Sequence, residues 1–407
     1  MRDLALGLEP KDVDLATDAL PDEVESLFPH TNPVGKAFGT ILVHLDEDDF
    51  AEHGLEERRG MDVELTTFRR DGEYEDARRP TSVAYGRSVA EDARRRDFTC
   101  NALYMDPLGG GFEDPEGGLA DLLAGRLRCV GDPAARFAED GLRLLRLVRF
   151  EARFALVPDE ETLAGARHAR EALRGVSPER VHAELRGVFG TPRPGAALRR
   201  MAALELDELA LPGLAALDAG REGFLEVRIG VLERLGGPLE PELGLALLLD
   251  PDPFHDAAEP DVQIERAVAL LEHLRPSRAE RRAITQTWAG SRRLEALLED
   301  PAPRRSTRLK LLREPEWPRV HALALAWLGA RPNDERHERV EALERERVAL
   351  GAQALRPEPL LVSADLAAAG IERGPRWGEL LVEAESLQLD GVLDSRDAAL
   401  AWLAGQG

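Results

Sequence analysis

The spacing of hydrophobic and polar positions differs between the beginning of the chain and the rest. Polar and apolar residues alternate over 12–16, and the runs 39–45 and 61–68 have the composition of β-strands. A proline followed by two acids predicts a helix over 21–28. From about Asp132 onward Leu and Ala dominate, and clusters of Pro and Gly separate predicted helices. The pattern predicts an α+β fold, with a small mixed sheet and helices at the N-terminus and an all-α remainder.

Composition narrows the class of protein. The chain has 407 residues, 43% of them hydrophobic, more than one core usually holds, which predicts about two to four domains. No apolar run is long enough to span a bilayer and the start lacks a signal-peptide pattern, so we expect no membrane association. Cys100 and Cys129 cannot form a disulfide framework, and we expect both to pack as small hydrophobic residues in a reducing cytoplasm.

Charge is distributed unevenly along the chain. The formal net charge of −23 argues weakly against non-specific binding of nucleic acid. Residues 275–313, called the basic island below, nevertheless contain eleven Lys and Arg against four Asp and Glu, which leaves a local charge of +7. A basic segment in an acidic protein predicts a contact surface for a polyanion.

Two predicted strands carry acids. Asp12 and Asp14 are two positions apart, so both side chains would point to one face of a strand, and Glu64 lies on another β-prone run. Carboxylates held together are costly unless a divalent cation neutralises them. Acids on adjacent strands with Mg²⁺ are the arrangement that in-line nucleotidyl transfer requires. The alternative is an exposed acidic strand end, since two acids in this spacing are weak support on their own.

Arginines are concentrated in two further segments. Within 92–103, Arg95 or Arg96 would clamp a phosphate, or both would form surface ion pairs with neighbouring acids. Within 136–150 we expect one helix, on which Asp140 and Arg143 would be neighbours. An acceptor beside a fork of donors suits the Watson–Crick edge of cytosine or adenine, because uracil and guanine would leave a buried group unpaired. An intrahelical salt bridge is the alternative.

Together and in chain order, these segments resemble the class II tRNA nucleotidyltransferases. These are the CCA-adding enzymes and their poly(A) polymerase relatives, within the polymerase β superfamily. The resemblance extends to about Phe154, and weaker similarity returns at 362–366 and 374–378. The motifs that carry it are 2–4 (RDL), 12–17 (DVDLAT), 39–40 (GT), 64–68 (ELTTF), 95–102 (RRDFTCNA) and 139–143 (EDGLR).

The resemblance implies the catalytic residues and the cofactor. Asp12 and Asp14 would bind catalytic Mg²⁺, and Glu64 would be the third catalytic acid. Nucleotides would be selected without a nucleic-acid template, with Asp140 and Arg143 reading the base. The full implied set of nucleotide-binding residues is Arg2, Arg96, Asp140, Arg143, Arg146 and Arg149, the last two near the triphosphate.

The resemblance also implies the substrates and the domain order. CTP, ATP and tRNA would be substrates, and no protein partner is implied. We expect a polymerase-β-like nucleotidyltransferase head at 1–131, a base-recognising neck at 132–190, a body at 191–300 and a tRNA-binding tail at 301–407. Within the basic island, the residues expected to bind tRNA are Arg304, Arg305, Arg308, Lys310 and Arg313.

Two departures from the family pattern affect this interpretation. The family has a glycine pair and a preceding strand before Arg2, which this sequence lacks. Either the assigned start is too late, or the protein binds triphosphate poorly and is a tRNA-binding or RNA-binding relative. His255 and Asp256 superficially match a phosphohydrolase motif, but the flanking prolines predict a loop.

Residues 68–83 resemble the flexible loop that CC-adding members of the family lack. Addition of CC alone is therefore not expected. Complete CCA addition is favoured, with addition of only the terminal A as the alternative. A poly(A) polymerase is less favoured, because 35–40 resembles the tRNA enzymes more closely.

Overall fold

The computed structural model describes residues 1–10, 13–46, 60–70, 84–218, 223–250, 260–331 and 334–406. The chain divides into two compact units, 1–212 and 213–407. The expected α+β head followed by a helical remainder is confirmed. The predicted boundaries after residues 131, 190 and 300 stay predictions.

A mixed sheet occupies the N-terminal part of the first unit. Its strands are β1 (Asp14–Thr17), β2 (Thr31–Gly35), β3 (Thr40–Leu45) and β4 (Met61–Thr67). The spatial order is β1-β4-β3-β2, with β1 parallel to β4 and the other neighbours antiparallel. Within the described residues the three predicted strand runs are confirmed. Successive side chains of a strand point to opposite faces, which gives this sheet one covered and one open face.

Helix α2 (Pro21–Leu27) covers one face of this sheet, close to its predicted bounds. Val24 of α2 packs with Ile41 and Val43 in a small core. The opposite face carries polar side chains, which leaves it accessible to a ligand.

Short elements and helices complete the first unit. Its paired short strands are β5 (Arg69–Arg70) with β6 (Ala84–Tyr85), β7 (Tyr104–Met105) with β8 (Phe112–Glu113), and β9 (Arg126–Leu127) with β10 (Val157–Pro158). The other helices are α1 (Arg2–Ala5), α3 (Val89–Arg94), α4 (Gly118–Leu123), α5 (Pro133–Glu139), α6 (Leu142–Phe154), α7 (Glu160–His168), α8 (Pro178–Phe189), α9 (Pro194–Ala203) and α10 (Asp207–Ala210).

The expectation of one helix over 136–150 was wrong. Helix α5 ends at Glu139, Asp140 is extended, and α6 begins at Leu142. Gly141 lies against another part of the chain, since a Cβ there would be 2.3 Å from the backbone oxygen of Ala172. The break brings the chain close to a backbone that any side chain would displace.

The second unit is helical in its described residues. Its helices are α11 (Phe224–Leu235), α12 (Pro241–Leu249), α13 (Pro260–His273), α14 (Arg278–Glu299), α15 (Arg305–Leu312), α16 (Trp317–Leu328), α17 (Arg336–Leu355), α18 (Ser363–Ala368), α19 (Pro375–Leu389) and α20 (Arg396–Ala404). All five tryptophans of the chain belong to this unit. His255 and Asp256 lie outside the described residues. No helix among those described is both long and apolar enough to cross a membrane.

Candidate active site

The open face of the sheet holds two of the three predicted catalytic acids. Asp14 on β1 and Glu64 on β4 are directly opposite in the parallel register, so their side chains share a face, and both are exposed. Asp12 lies outside the described residues. No group of three or more possible metal ligands occurs among those described. Two facing carboxylates nevertheless fit a hard cation such as Mg²⁺, which prefers oxygen ligands and keeps part of its water shell.

An acid–histidine pair lies on the same face, one step further along β4. Asp62 is two residues before Glu64, and its Oδ1 is 2.7 Å from Nδ1 of His44 on β3. Both side chains are more than half exposed. Sequence reasoning missed this pair because cross-strand partners follow from register, which the sequence alone did not establish.

Arg69 lies just beyond the end of β4, beside a tight turn. Gly39 in that turn has φ of 77°, a left-handed conformation that glycine adopts without strain. The hydroxyl of the next residue, Thr40, is 3.0 Å from the hydroxyl of Thr66. The Thr40 hydroxyl also accepts a 3.0 Å hydrogen bond from Arg69 Nη2. Burial lowers the pKa of Arg69 to about 10. Its buried Nε has no hydrogen-bond partner among the described residues, so Arg69 is a nucleotide-site candidate that sequence analysis missed.

A buried carboxylate orders the arginine pair at 95–96. Asp92 is fully buried; its Oδ1 accepts from Arg95 Nε at 2.8 Å, and its Oδ2 accepts from Arg96 Nη2 at 2.9 Å and from the Tyr104 hydroxyl at 2.7 Å. Burial opposes ionisation of Asp92, but Arg96 and Arg95 outweigh it and hold the pKa of this carboxyl below its ordinary value. Arg95 and Arg96 therefore form ion pairs, but their partner Asp92 is buried and fixes the position of both guanidinium groups.

Asp97 performs the same role for Arg146. Its buried carboxylate accepts from Arg146 Nε at 2.6 Å, from Asn101 Nδ2 at 2.8 Å and from the Phe98 backbone N–H at 2.9 Å. Burial raises the pKa of Asp97, but the charge of Arg146 and these hydrogen bonds outweigh burial and hold that pKa below its ordinary value. Asp97 was present in the 95–102 motif, but its partner is far away in sequence.

Helix α1 is joined to the same cluster by Arg2. Its Nη1 donates to Asn101 Oδ1 at 2.5 Å and its Nε donates to Asp3 at 2.8 Å. Asp3 also accepts from Arg153 of α6 at 3.2 Å. The structure therefore brings Arg2 and Arg146 together through Asn101 and Asp97.

The predicted base-reading residues do not contact each other through their side chains. Asp140 accepts from Arg180 of α8 at 2.7 Å through Oδ2 and from the Leu142 N–H at 3.1 Å through Oδ1. Arg143 donates instead to Glu139 at 2.6 Å. The alternative of an intrahelical salt bridge between Asp140 and Arg143 was thus wrong, because Asp140 lies in the break between α5 and α6.

Glu184 of α8 completes the cluster. It accepts from Arg149 Nε at 2.6 Å and lies 3.9 Å from Arg146 Nη1. Helix α8 approaches closely at Gly187, where a Cβ would be 2.6 Å from Arg149 Cδ. Sequence analysis missed Glu184, because no local pattern pairs it with Arg149, which lies 35 residues earlier in the chain.

The predicted tRNA-binding residues of the second unit are also engaged. Arg304 donates to Asp390 at 2.6 Å, Arg308 to Glu346 at 3.3 Å, and Arg313 to Glu385 at 2.8 Å. Lys310 donates to the Ser386 hydroxyl at 2.6 Å, and Arg305 donates to the backbone oxygen of Leu389. By contrast, Arg278 and Arg282 are exposed and have no such partner among the described residues.

Comparison with known proteins identifies relatives of both halves of the first unit. Residues 1–128 match the poly A polymerase head domain, and residues 156–217 match the probable RNA and SrmB-binding site of polymerase A. The CCA-adding enzyme of Bacillus pumilus is 41% identical over 247 residues, 60% of this chain and 58% of that protein. The CCA-adding enzyme of Geobacillus stearothermophilus is 43% identical over 217 residues, 53% of this chain and 50% of that protein. The chain thus spans about half the length of the relatives that it matches.

Solved structures extend the likeness to the whole chain. The Bacillus stearothermophilus CCA-adding enzyme in complex with CTP aligns with a TM-score of 0.73 at 27% identity, covering 100% of this chain and 91% of that one. The Thermotoga maritima CCA-adding enzyme complexed with tRNA has a TM-score of 0.62 at 22% identity, covering 100% and 89%, which shows a shared fold.

Proposed function

Since this chain belongs to the family of poly(A) polymerases and CCA-adding enzymes, we propose that it adds the 3′-terminal CCA to tRNA from CTP and ATP. The reaction joins the tRNA 3′-hydroxyl to the α-phosphate of the nucleotide and releases pyrophosphate. The observation that carries the proposal is the facing pair of Asp14 and Glu64 on the open face of the sheet. Members of this superfamily generally use a divalent metal.

Asp14 and Glu64 would hold Mg²⁺, with Asp12 as the third acid. When bound, the ion would make the attacking hydroxyl a better nucleophile and neutralise charge on the triphosphate. The role of the two described acids is to fix that charge at one place on the sheet, and the arginines of α6 offer the counter-charge for the triphosphate tail.

Base selection would fall to Asp140 and Arg143. The carboxylate would accept from the exocyclic amine of cytosine or adenine, and the guanidinium would donate to a ring acceptor. Arg180 pairs with Asp140, and Glu139 pairs with Arg143, so a bound base would have to exchange these partners. That exchange favours bases whose polarity matches, since a mismatched base would leave both groups unpaired.

The acceptor arm of tRNA would lie along the basic island of the second unit. Arg278 and Arg282 are exposed there without an acidic partner among the described residues, whereas 304–313 would have to exchange acids for phosphates. Contacts of this kind position the tRNA and do not specify its sequence.

The test is single-nucleotide incorporation with Mg²⁺ on three tRNA transcripts, ending before CCA, after C and after CC. Extension of all three to a complete CCA end is expected with CTP and ATP. Addition of one AMP to the CC-ended transcript alone would make it an A-adding enzyme, and long A tails on any RNA would make it a poly(A) polymerase. Binding of tRNA without incorporation on any of the three transcripts would identify an RNA-binding relative instead.

A further inference from the structure

Two phenylalanines of α6 lie beneath a group of arginines. The guanidinium carbon of Arg2 is 4.3 Å from the ring centroid of Phe154 and 5.2 Å from that of Phe150. Arg146 and Arg149 lie 5.0 and 4.7 Å from the Phe150 centroid. Three guanidinium groups, one of them from another helix, thus share one aromatic ring.

Gathering these charges is unfavourable without compensation. The nearby acids Asp3, Asp97 and Glu184 accept hydrogen bonds from them, but Arg153 adds a fourth cation over Phe154 at 4.9 Å. The π face of an aromatic ring attracts a cation within about 6 Å of its centroid, and more strongly when both are removed from water.

The cluster retains hydrogen-bond donors. Arg146 uses only its Nε in a hydrogen bond within the described part of the chain, and its nearest other carboxylate is 3.9 Å from Nη1. Its side chain is about one-third exposed. A guanidinium held at its base by an acid and a ring, with donors left on its terminal nitrogens, suits an anion with several oxygens.

We propose that Phe150 is a positioning residue for nucleotide binding, which holds Arg2, Arg146 and Arg149 as a preformed site for the triphosphate tail. This inference rests on the proposed function. Phe150 is buried, so it does not touch the nucleotide and acts through the arginines alone. Preorganisation of this kind lowers the entropy that the arginines lose on binding.

Phe137 provides a matched control. It is also buried and belongs to the same row of aromatic side chains, since Phe98 lies 6.4 Å from Phe137 and 5.6 Å from Phe150. No guanidinium lies over the ring of Phe137 within the described residues. Phe137→Leu and Phe150→Leu therefore remove similar packing, but only the second removes the cation–π interactions.

The experiment measures the Kd of CTP and of CMP with Mg²⁺ for the full chain and both variants. For Phe150→Leu we expect a rise of about three- to tenfold in the Kd of CTP and an unchanged Kd of CMP. For Phe137→Leu we expect both values to stay within about twofold of the wild type. An unchanged Kd of CTP in Phe150→Leu, or equal losses in both variants, would overturn the inference.

A nearly isosteric change keeps the test decisive if Phe150→Leu does not fold. Trifluorophenylalanine at position 150 preserves the ring but withdraws charge from its face, and should weaken CTP binding in the same direction. If the wild type binds neither CTP nor CMP, the proposed function fails and the inference with it. If the wild type binds CTP and the fluorinated protein binds it equally well, only the inference fails.

Discussion

The arginines of α6 and those of the basic island are equally conspicuous in the sequence but differ in their surroundings. In α6, Arg146 and Arg149 pair with buried acids and lie over an aromatic ring. In the island, the exposed Arg304 pairs with Asp390, and the partly buried Arg308 pairs with Glu346, itself partly exposed. A buried acid that cannot leave fixes an arginine in place, whereas an exposed ion pair contributes little and exchanges readily. Local charge density therefore does not by itself locate a binding site.

The largest effect should come from the sheet of the first unit. Asp14→Asn removes one of two facing carboxylates, and we expect incorporation to fall by at least about 10³-fold because metal stabilisation of the transition state is worth several kcal/mol. The Kd of tRNA should stay within about twofold of the wild-type value, since the basic island belongs to the other unit. The measurements are single-turnover incorporation and a tRNA titration; activity close to wild type would remove Asp14 from the catalytic set.

Arg146→Ala should have the next largest effect. Loss of a charge-assisted hydrogen bond to the triphosphate, with Asp97 left uncompensated, predicts a fall of about 30- to 100-fold in kcat/KM for CTP. Arg304→Ala is the matched change in the basic island, and its kcat/KM for CTP should stay within about twofold of the wild-type value. Equal losses in the two variants would contradict the distinction between arginines held by a buried acid and an aromatic ring and the exposed Arg304.

Within the island, the arginines without an acidic partner should matter more than the ion-paired ones. We expect the Arg278→Ala/Arg282→Ala variant to bind tRNA about tenfold more weakly, and its slope of log K against log salt to fall by about one for each phosphate that it no longer neutralises. Arg304→Ala/Arg308→Ala should weaken binding by about threefold or less. A larger effect in this second variant would mean that tRNA displaces the acids, as the sequence-based assignment of 304–313 requires.

The smallest effect concerns stability of the second unit at different pH values. The carboxylate of Glu344 accepts hydrogen bonds from Arg347 and from Trp317 Nε1, each at 2.6 Å. These hydrogen bonds lower the pKa of Glu344 to about 2, and the bond from Arg347 has the largest effect. A depressed folded-state pKa stabilises the fold above the ordinary Glu range, and this stabilisation disappears as pH falls toward about 2. Glu344→Gln should therefore lower the free energy of unfolding of the second unit by about 1 kcal/mol at neutral pH, and should leave it almost unchanged near pH 2.

Tryptophan fluorescence measures this prediction selectively, because all five tryptophans lie in the second unit. Glu338→Gln is the control: Glu338 pairs with Arg345 at 2.5 Å, but both side chains are largely exposed. The same loss of stability in both variants, or a loss for Glu344→Gln that persists at low pH, would contradict the assignment.

The elements that sequence analysis predicted correctly are those set by local pattern. The β-prone composition of 39–45 and 61–68 and the proline-initiated helix α2 depend on neighbouring residues alone. The break at Asp140 was missed because Phe137 and the leucines from 142 onward fit one helical pattern, whereas the close approach of Gly141 to the backbone of Ala172 is visible only in the fold. Asp97 and Glu184 were missed as partners because 49 and 35 residues separate them from the arginines they hold. Side-chain pairing over such distances follows from packing, which no local pattern encodes.

The close approach at Gly141 bears on attempts to redesign nucleotide choice. A library that varies Asp140 and Arg143 leaves the turn between α5 and α6 intact, whereas one that also varies position 141 would push that turn away from Ala172 in nearly every member. Most clones of the wider library would then be inactive for reasons unrelated to the base. Holding this glycine constant is the simplest way to keep a screen for new substrates informative.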